Sequence, residues 1–333
     1  MQKWAISLQN GTDKGSYYIS LNYLTDNGIV KGDRDTYKRL TGTINADHKI
    51  TSWLTVGTNN VLEKWDTRSV STGGTGYSGN VITSTMHMDP LTKAYYGANG
   101  LTPEMQTAMA NGYTLLKAPN GAFYGVSSFS DDMYNPLILI NNAENKNTGW
   151  NMTGSAYANI TPFKGFTFTS RFGYKLSGSH SKNYSKKYYG YATAQNDKIS
   201  LNQTTSINTY SQWENFANYM TTIAEKHDIT AMAGMSFTKN ISDRTYGSLA
   251  DSKGDAVLID AWYGFSDLDN GIQSVDNKGV SGGEYVSTST SYYGRVGYTY
   301  DNKYMIQASM RAEACKGLEF MGVKVDEALN ATI

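Results

Sequence analysis

Four aromatic side chains in polar stretches, Tyr95, Tyr96, Trp262 and Tyr263, are the residues of this sequence best suited to hold a ligand. A flat ring can stack on a sugar face or a peptide side chain, or it can simply pack one loop against another. The other groupings that could do chemistry are weaker. Gly74, Gly76 and Gly79 have G-x-G-x-x-G spacing, but a phosphate cradle needs a buried strand before it and a helix after it, and these glycines stand in a Thr/Ser-rich stretch. Asp267, Asp269 and Gly271 match half of a calcium loop without its closing Glu. His48, His87, His180 and His227 are scattered, with no pair at i, i+4. Asp131 and Asp132 are neighbours, and in an extended chain neighbours point apart, so they do not make a glycosidase pair. None of these groupings is expected to form a phosphate cradle, a metal site or a carboxylate pair, and no cofactor is expected.

The elements that position these residues are strands. Net charge is zero, 17% of residues are charged and 39% are hydrophobic, which excludes bulk disorder and a nucleic-acid-binding balance. There are 26 Tyr and 33 Gly but 5 Pro, a vocabulary of strands and turns. The single Cys315 excludes an intrachain disulfide framework. Mean hydropathy is −0.48 and no apolar run approaches helix-spanning length, so no transmembrane helix is expected. A transmembrane barrel, apolar on one strand face only, stays open. The opening "MQKWAISLQNGTDKG" has no apolar signal core, so no export signal is expected within the sequence as given.

Strand alternation recurs along the chain. In "FTFTSRFGYKLSG", Phe166, Phe168, Phe172, Tyr174 and Leu176 share one parity, against Thr167, Thr169, Arg171 and Lys175. Tyr17, Ile19, Leu21 and Tyr23 form a second stripe, and Leu40, Ile44 and Ala46 a third. Met152, Ala156, Ala158 and Ile160, then Ile229, Ala231, Ala233, Met235 and Phe237, continue the series. Tyr292, Val296, Tyr298 and Tyr300 precede the final stripe of Tyr304, Ile306, Ala308 and Met310. There are about ten such segments, most near the nine to eleven residues that a tilted bilayer-spanning strand requires.

Connections alternate in length. "GTDKG", "HKITSW", "TPFKGF", "AEKHD" and "YDNKY" are short, whereas 25–36, 66–148, 178–208 and 241–284 are long. An up-and-down sheet whose two ends meet unlike environments has this asymmetry; a soluble sandwich has no reason to keep it. Arg39, Asp47, Arg171, Lys175, Arg295 and Arg311 then face a wet lumen, because a midplane Arg or Lys in hydrocarbon costs about 2–4 kcal/mol. Trp4, Trp53, Tyr292, Tyr300 and Tyr304 fit interfacial girdles. The longest connection carries a helix signal near 102–111: Thr102 as N-cap, Pro103 at the first position, Glu104 in the first turn and Gly112 beyond the end.

The stretch "KGSYYISLNYLTDNGIVKGDRDTYKRLTGTINADHKITSWLTVGTN" resembles the first barrel strands of the SusC/RagA family of TonB-linked outer-membrane transporters. "YNPL" at 134–137, "ANITPFKGFTFTSRFGY" at 158–174, "EKHDITAMAGMSF" at 225–237 and "SYYGRVGYTYDNKYMIQASMRA" at 291–312 follow in the family's order. The resemblance implies an all-β, antiparallel up-and-down transmembrane barrel, of which this chain supplies about ten of some 22 strands. It further implies uptake of glycans or peptides into a Gram-negative cell without covalent change, hence no enzyme. Implied partners are a SusD-like lipoprotein, the TonB complex and outer-membrane lipid, with no nucleic acid.

Two departures from the family pattern set further expectations. Residues 1–312 correspond to the N-terminal part of the barrel, so the plug and TonB box of the family are missing from the sequence as given. Residues 313–333, "EACKGLEFMGVKVDEALNATI", form an atypical tail. A gene fragment of an importer is the first reading; a non-transporting remnant or a surface binding or adhesion module is the alternative.

Overall fold

The computed structural model describes residues 1–70, 80–129, 135–192, 194–251, 268, 278–318 and 328–332. In chain order come β1 (Gln2–Thr12), β2 (Gly15–Asn27), β3 (Thr36–Lys49) and β4 (Leu54–Ser69). The long connection then holds α1 (Val81–His87), β5 (Tyr95–Tyr96), α2 (Pro103–Ala110), β6 (Phe123–Tyr124) and α3 (Pro136–Asn141). The sheet resumes with β7 (Ala143–Ile160) and β8 (Phe166–Ser185), interrupted by the small hairpin β9 (Tyr188–Tyr191) and β10 (Ala194–Asn196). It continues through β11 (Ile199–Ile223), β12 (His227–Asp251), β13 (Lys278–Tyr300), β14 (Tyr304–Leu318) and the short β15 (Ala328–Thr332).

Eleven of these strands make one sheet in the order β1-β2-β3-β4-β7-β8-β11-β12-β13-β14-β15. Every neighbour pair is antiparallel, so the architecture is up-and-down with β1 and β15 at its edges. The short connections close tightly. Ala224, Glu225, Asp301 and Asn302 all have φ between 47° and 57°, and Lys226 and Lys303 donate backbone bonds to Ile223 and Tyr300. Two successive positive φ values give primed turns whose twist matches that of the strands they join.

Register keeps one face apolar across the whole sheet. A row of Cα partners runs Ile6, Leu21, Gly42, Leu62, Met152, Leu176. A second runs Ile160, Phe168, Ala217, Ala233, Gly294, Met310. The opposite face carries Arg39, Asp47, Arg171, Lys175, Arg295 and Arg311, because side chains alternate with period two. The two sides of the alternation are therefore the two faces of a single wall.

Polar groups on the apolar face satisfy one another, as a hydrocarbon-facing surface requires. The Tyr174 hydroxyl donates to Asn60 Oδ1, Asn60 Nδ2 donates to Thr58 Oγ1 at 2.7 Å, and Trp213 Nε1 donates to Ser170 Oγ at 3.1 Å. Gly154 lies between Asn60 and Tyr174 in register, and a Cβ there would collide with both side chains. Around the short turns, Phe163 stacks on Phe166 with centroids 5.2 Å apart and meets Tyr219 edge-on. His227 packs beside Tyr300, making an aromatic belt at that rim.

The strands are longer than a bilayer demands. β11 and β12 have 25 residues each and β13 has 23. At roughly 3.3 Å per residue that is about 80 Å of strand, against an apolar band about 25 Å tall. These strands project beyond the apolar stripe on the long-loop side. The connections expected over 178–208 and 241–284 therefore shrink to 186–198 and 252–277. Likewise β14 runs on to Leu318, so the segment from 313 begins as strand.

Compact hydrophobic clusters lie in the loops and at the projecting strand ends, where Tyr184, Leu201 and Leu249 pack together. Val30 of the β2–β3 connection, Val81 of α1, Ile138 and Leu139 of α3, and Tyr191 and Ala194 of β9–β10 form one cluster. Met105, Ala108, Leu115, Phe123 and Val126 form a second. The expected helix is present as α2, with the Thr102 side chain accepting from the Met105 amide and Gly112 at φ 85° beyond its end.

Candidate functional site

Two surfaces could meet a ligand: the loop cap and the lumenal wall below it. Within the cap, Asp89 is the organising residue. Its carboxylate accepts from the Leu91 and Thr92 amides at 3.0 and 2.7 Å, from Thr92 Oγ1 at 2.8 Å and from Ser127 Oγ at 2.6 Å. Partial burial acts to raise its pKa, but these bonds together outweigh it and hold the carboxyl below its ordinary value. Asp89 thus ties the start of the 89–96 turn to the segment after β6.

Tyr95 and Tyr96 sit on β5, which pairs with β6 through Tyr95–Tyr124 and Tyr96–Phe123. As successive strand residues they point to opposite sides. Tyr95 is 46% exposed, with its ring 5.5 Å from that of Tyr124. Tyr96 packs against the Met105–Phe123 cluster, and its hydroxyl accepts from the Lys93 amide. The structure thus leaves Tyr95 as the outward ring of the pair. Trp262, Tyr263, the glycines at 74–79, Asp131, Asp132, Asp267 and Asp269 lie outside the described residues.

The cap is seated on the sheet by ion pairs at the strand ends. Arg34 lies 2.6 Å from Glu144, Arg68 is 3.2 Å from Asp33, and Lys146 is 3.7 Å from Asp66. These pairs are largely exposed, so each contributes about 0–1 kcal/mol and serves mainly to orient the loops. Nearby, burial lowers the pKa of Lys186 and the positive charge of Arg34 reinforces this, with Glu144 opposing.

The lumenal wall is polar with paired charges. Arg39 stands 3.6 Å from Glu63, which also accepts from Asn151. Arg311 Nε reaches Glu313 at 3.3 Å, and its Nη2 donates to Ser291 Oγ at 3.0 Å. Ser291 in turn meets Ser236 at 2.8 Å, and both hydroxyls are buried under the longer side chains. Beside this network Phe216, Gly234 and Tyr293 are aligned in register, and the absence of a side chain at Gly234 lets the two rings converge. Arg171 lies over Phe216 at 6.0 Å and Arg311 over Tyr293 at 5.8 Å. Alternation alone did not reveal this aromatic patch, since Phe216 and Tyr293 fall on the polar parity.

Such a wall can hydrogen-bond and stack a hydrophilic solute. Among the described residues, no group of three or more His, Cys, Asp or Glu is placed to hold a metal ion.

No protein-family profile matches the sequence. TonB-dependent receptor P39 of Formosa agariphila is 22% identical over 322 residues, covering 92% of this chain and 25% of the relative. TonB-dependent receptor P26 of the same organism is 25% identical over 308 residues, covering 90% of this chain and 26% of the relative. Among solved structures, that of the RagAB peptide transporter superposes with a TM-score of 0.65 at 20% identity, over 94% of this chain and 32% of the other. The chain is thus similar to TonB-dependent receptors in sequence along most of its length, and to RagAB in fold. It spans about a quarter of the length of the curated TonB-dependent receptors it matches. The ferric preacinetobactin receptor of Acinetobacter baumannii shares the fold at a TM-score of 0.52 and 8% identity. TonB-dependent receptors are outer-membrane proteins of Gram-negative bacteria. In that setting the apolar face of the present sheet is the lipid side and the polar face the lumen.

Proposed function

We propose that this stretch forms part of the wall and outer loops of an importer that takes up glycans or peptides across the outer membrane of a Gram-negative cell, working with a SusD-like lipoprotein and the TonB complex. The observation that carries the reading is the register. One mainly apolar face runs from β1 to β14, its polar members hydrogen-bonded to one another, while short turns alternate with long loops at the two ends. That combination suits a membrane wall with unlike environments on its two sides. A relative in fold, RagAB, is named a peptide transporter.

On this reading residues 1–312 supply the N-terminal part of the receptor barrel. Residues 313–333 are an atypical segment whose beginning, to Leu318, still lies in β14. Of the four loop aromatics expected to contact ligand, Tyr95, Trp262 and Tyr263 are the proposed contacts at the outer mouth, and Tyr96 packs the loops together instead. The solute crosses chemically unchanged, so the protein is not an enzyme.

The test is uptake. Cells expressing the protein in its genomic context should accumulate a labelled oligosaccharide or peptide only when TonB is functional. Equal accumulation with and without TonB contradicts the proposal. Binding at the cell surface without accumulation points instead to the surface-binding alternative.

A further inference from the structure

Above the apolar stripe, where β12 and β13 project on the long-loop side, the lumenal face holds an open recess of about 570 Å³. Its shape follows from the register. Tyr246 stands opposite Ser281, Arg244 opposite Gly283, and Ser242 opposite Tyr285, so each large side chain faces a small one. The result is a slot with an aromatic ring at each end and a guanidinium between them.

The slot is braced from behind. The Tyr246 hydroxyl donates to Asn202 Oδ1 at 2.9 Å, and Ser242 Oγ donates to Asn208 Oδ1 at 2.7 Å. Arg244 is exposed, faces Ser206 on β11 and Gly283 on β13, and makes no ion pair among the described residues. It differs in this from Arg39 and Arg311, whose partners are Glu63 and Glu313. The neighbouring acids Asp243 and Glu284 stand opposite each other in register on the other parity, and Glu284 also borders the recess.

We infer that this recess binds a uronate residue of an acidic glycan, a reading that rests on the importer function proposed above and names its substrate class. The chemistry of the lining matches such a sugar group by group. Arg244 supplies a planar two-pronged donor for the carboxylate. The faces of Tyr246 and Tyr285, the latter 41% exposed, offer stacking surface for the ring. Ser242 and Ser281 border the slot within reach of hydroxyls. A peptide with a free carboxylate can also reach Arg244, so a peptide is carried as a comparison in the test.

The probe is trigalacturonate, with its methyl ester and a short neutral peptide bearing a free C-terminal carboxylate as comparisons. Binding is measured by calorimetry on the detergent-solubilised protein purified in its genomic context. The acid should bind, the ester at least about tenfold more weakly, and Arg244→Gln should lower affinity for the acid by about ten- to a hundredfold while leaving the ester unchanged. Arg244→Lys, which keeps the charge but loses the fork, should fall between. Equal binding of acid and ester, equal binding by wild type and Arg244→Gln, or Arg244-dependent binding of the peptide alone would overturn the assignment. TonB-dependent uptake of an uncharged solute with no trigalacturonate binding would sink this inference while leaving the importer reading intact.

Discussion

Single atoms decide whether the lipid-side and cap networks hold. At Gly154 the missing Cβ makes room for the Tyr174–Asn60 bridge, so Gly154→Val should destabilise the folded wall by about 1–3 kcal/mol through overpacking and loss of that bond. Heat-modifiability on cold gels reads this directly, and Tyr174→Phe in the Gly154→Val background should add little if the two act through one bridge. Asp89 makes a second residue-scale prediction. Its folded pKa is depressed below the ordinary 3.8, so its carboxylate contributes stability that is present above that value and lost as pH falls through the lower folded one. Hydrogen exchange at the Leu91 and Thr92 amides, corrected for intrinsic rate, should show protection persisting through the ordinary carboxylate range and fading only as pH falls below it, and Asp89→Asn should remove that dependence.

For whole elements, face matters more than position along the strand. Ala156 and Ser155 are neighbours on β7, one on the lipid side beside Phe172 and the other on the lumenal side beside Gly173. Ala156→Arg should cost about 2–4 kcal/mol and Ser155→Arg close to nothing, measured by urea unfolding in lipid vesicles. Equal costs would mean that the faces are misassigned. Helix α2 depends on its cap in the usual way: Thr102→Ala should destabilise it by about 1 kcal/mol, read as faster exchange at the Met105 amide.

The strands were legible where one face meets hydrocarbon, as in Phe168, Phe172 and Leu176, because the period of two is then enforced by transfer energy. Beyond the bilayer both faces are wet and the signal disappears. "SGSHSKNYS" at 177–185 is strand, yet its Ser, His, Lys and Asn carry no stripe. In β4 the outward Thr58 and Asn60 hide the pattern, and their partner Tyr174 is more than a hundred residues away in the chain. Helix α2 was legible from Thr102, Pro103 and Gly112; α1 and α3, capped by Asn80 and Asn135, are too short to show a period. The recess around Arg244 could not be seen in the sequence, since it depends on which residues of β13 stand opposite those of β12.

At the scale of the molecule, the sheet is a wall, and the packed clusters lie in the loops and at the projecting ends of β8, β11 and β12. That division explains why Trp4, Ile6, Leu8 and Met310, large and exposed, share one face of the strands. The central claim is that this face meets lipid and the other meets water, and alternate-residue labelling along β8 tests it most directly. Single cysteines placed from Thr167 to Leu176 in a Cys315→Ser background, in intact outer membranes, are exposed to a small charged methanethiosulfonate. The account predicts reaction at Thr167, Arg171, Gly173 and Lys175 and protection at Phe168, Ser170, Phe172, Tyr174 and Leu176, with Thr169 shielded by its own packing on the wet side. Reaction at both parities, or protection of the charged one, would contradict it.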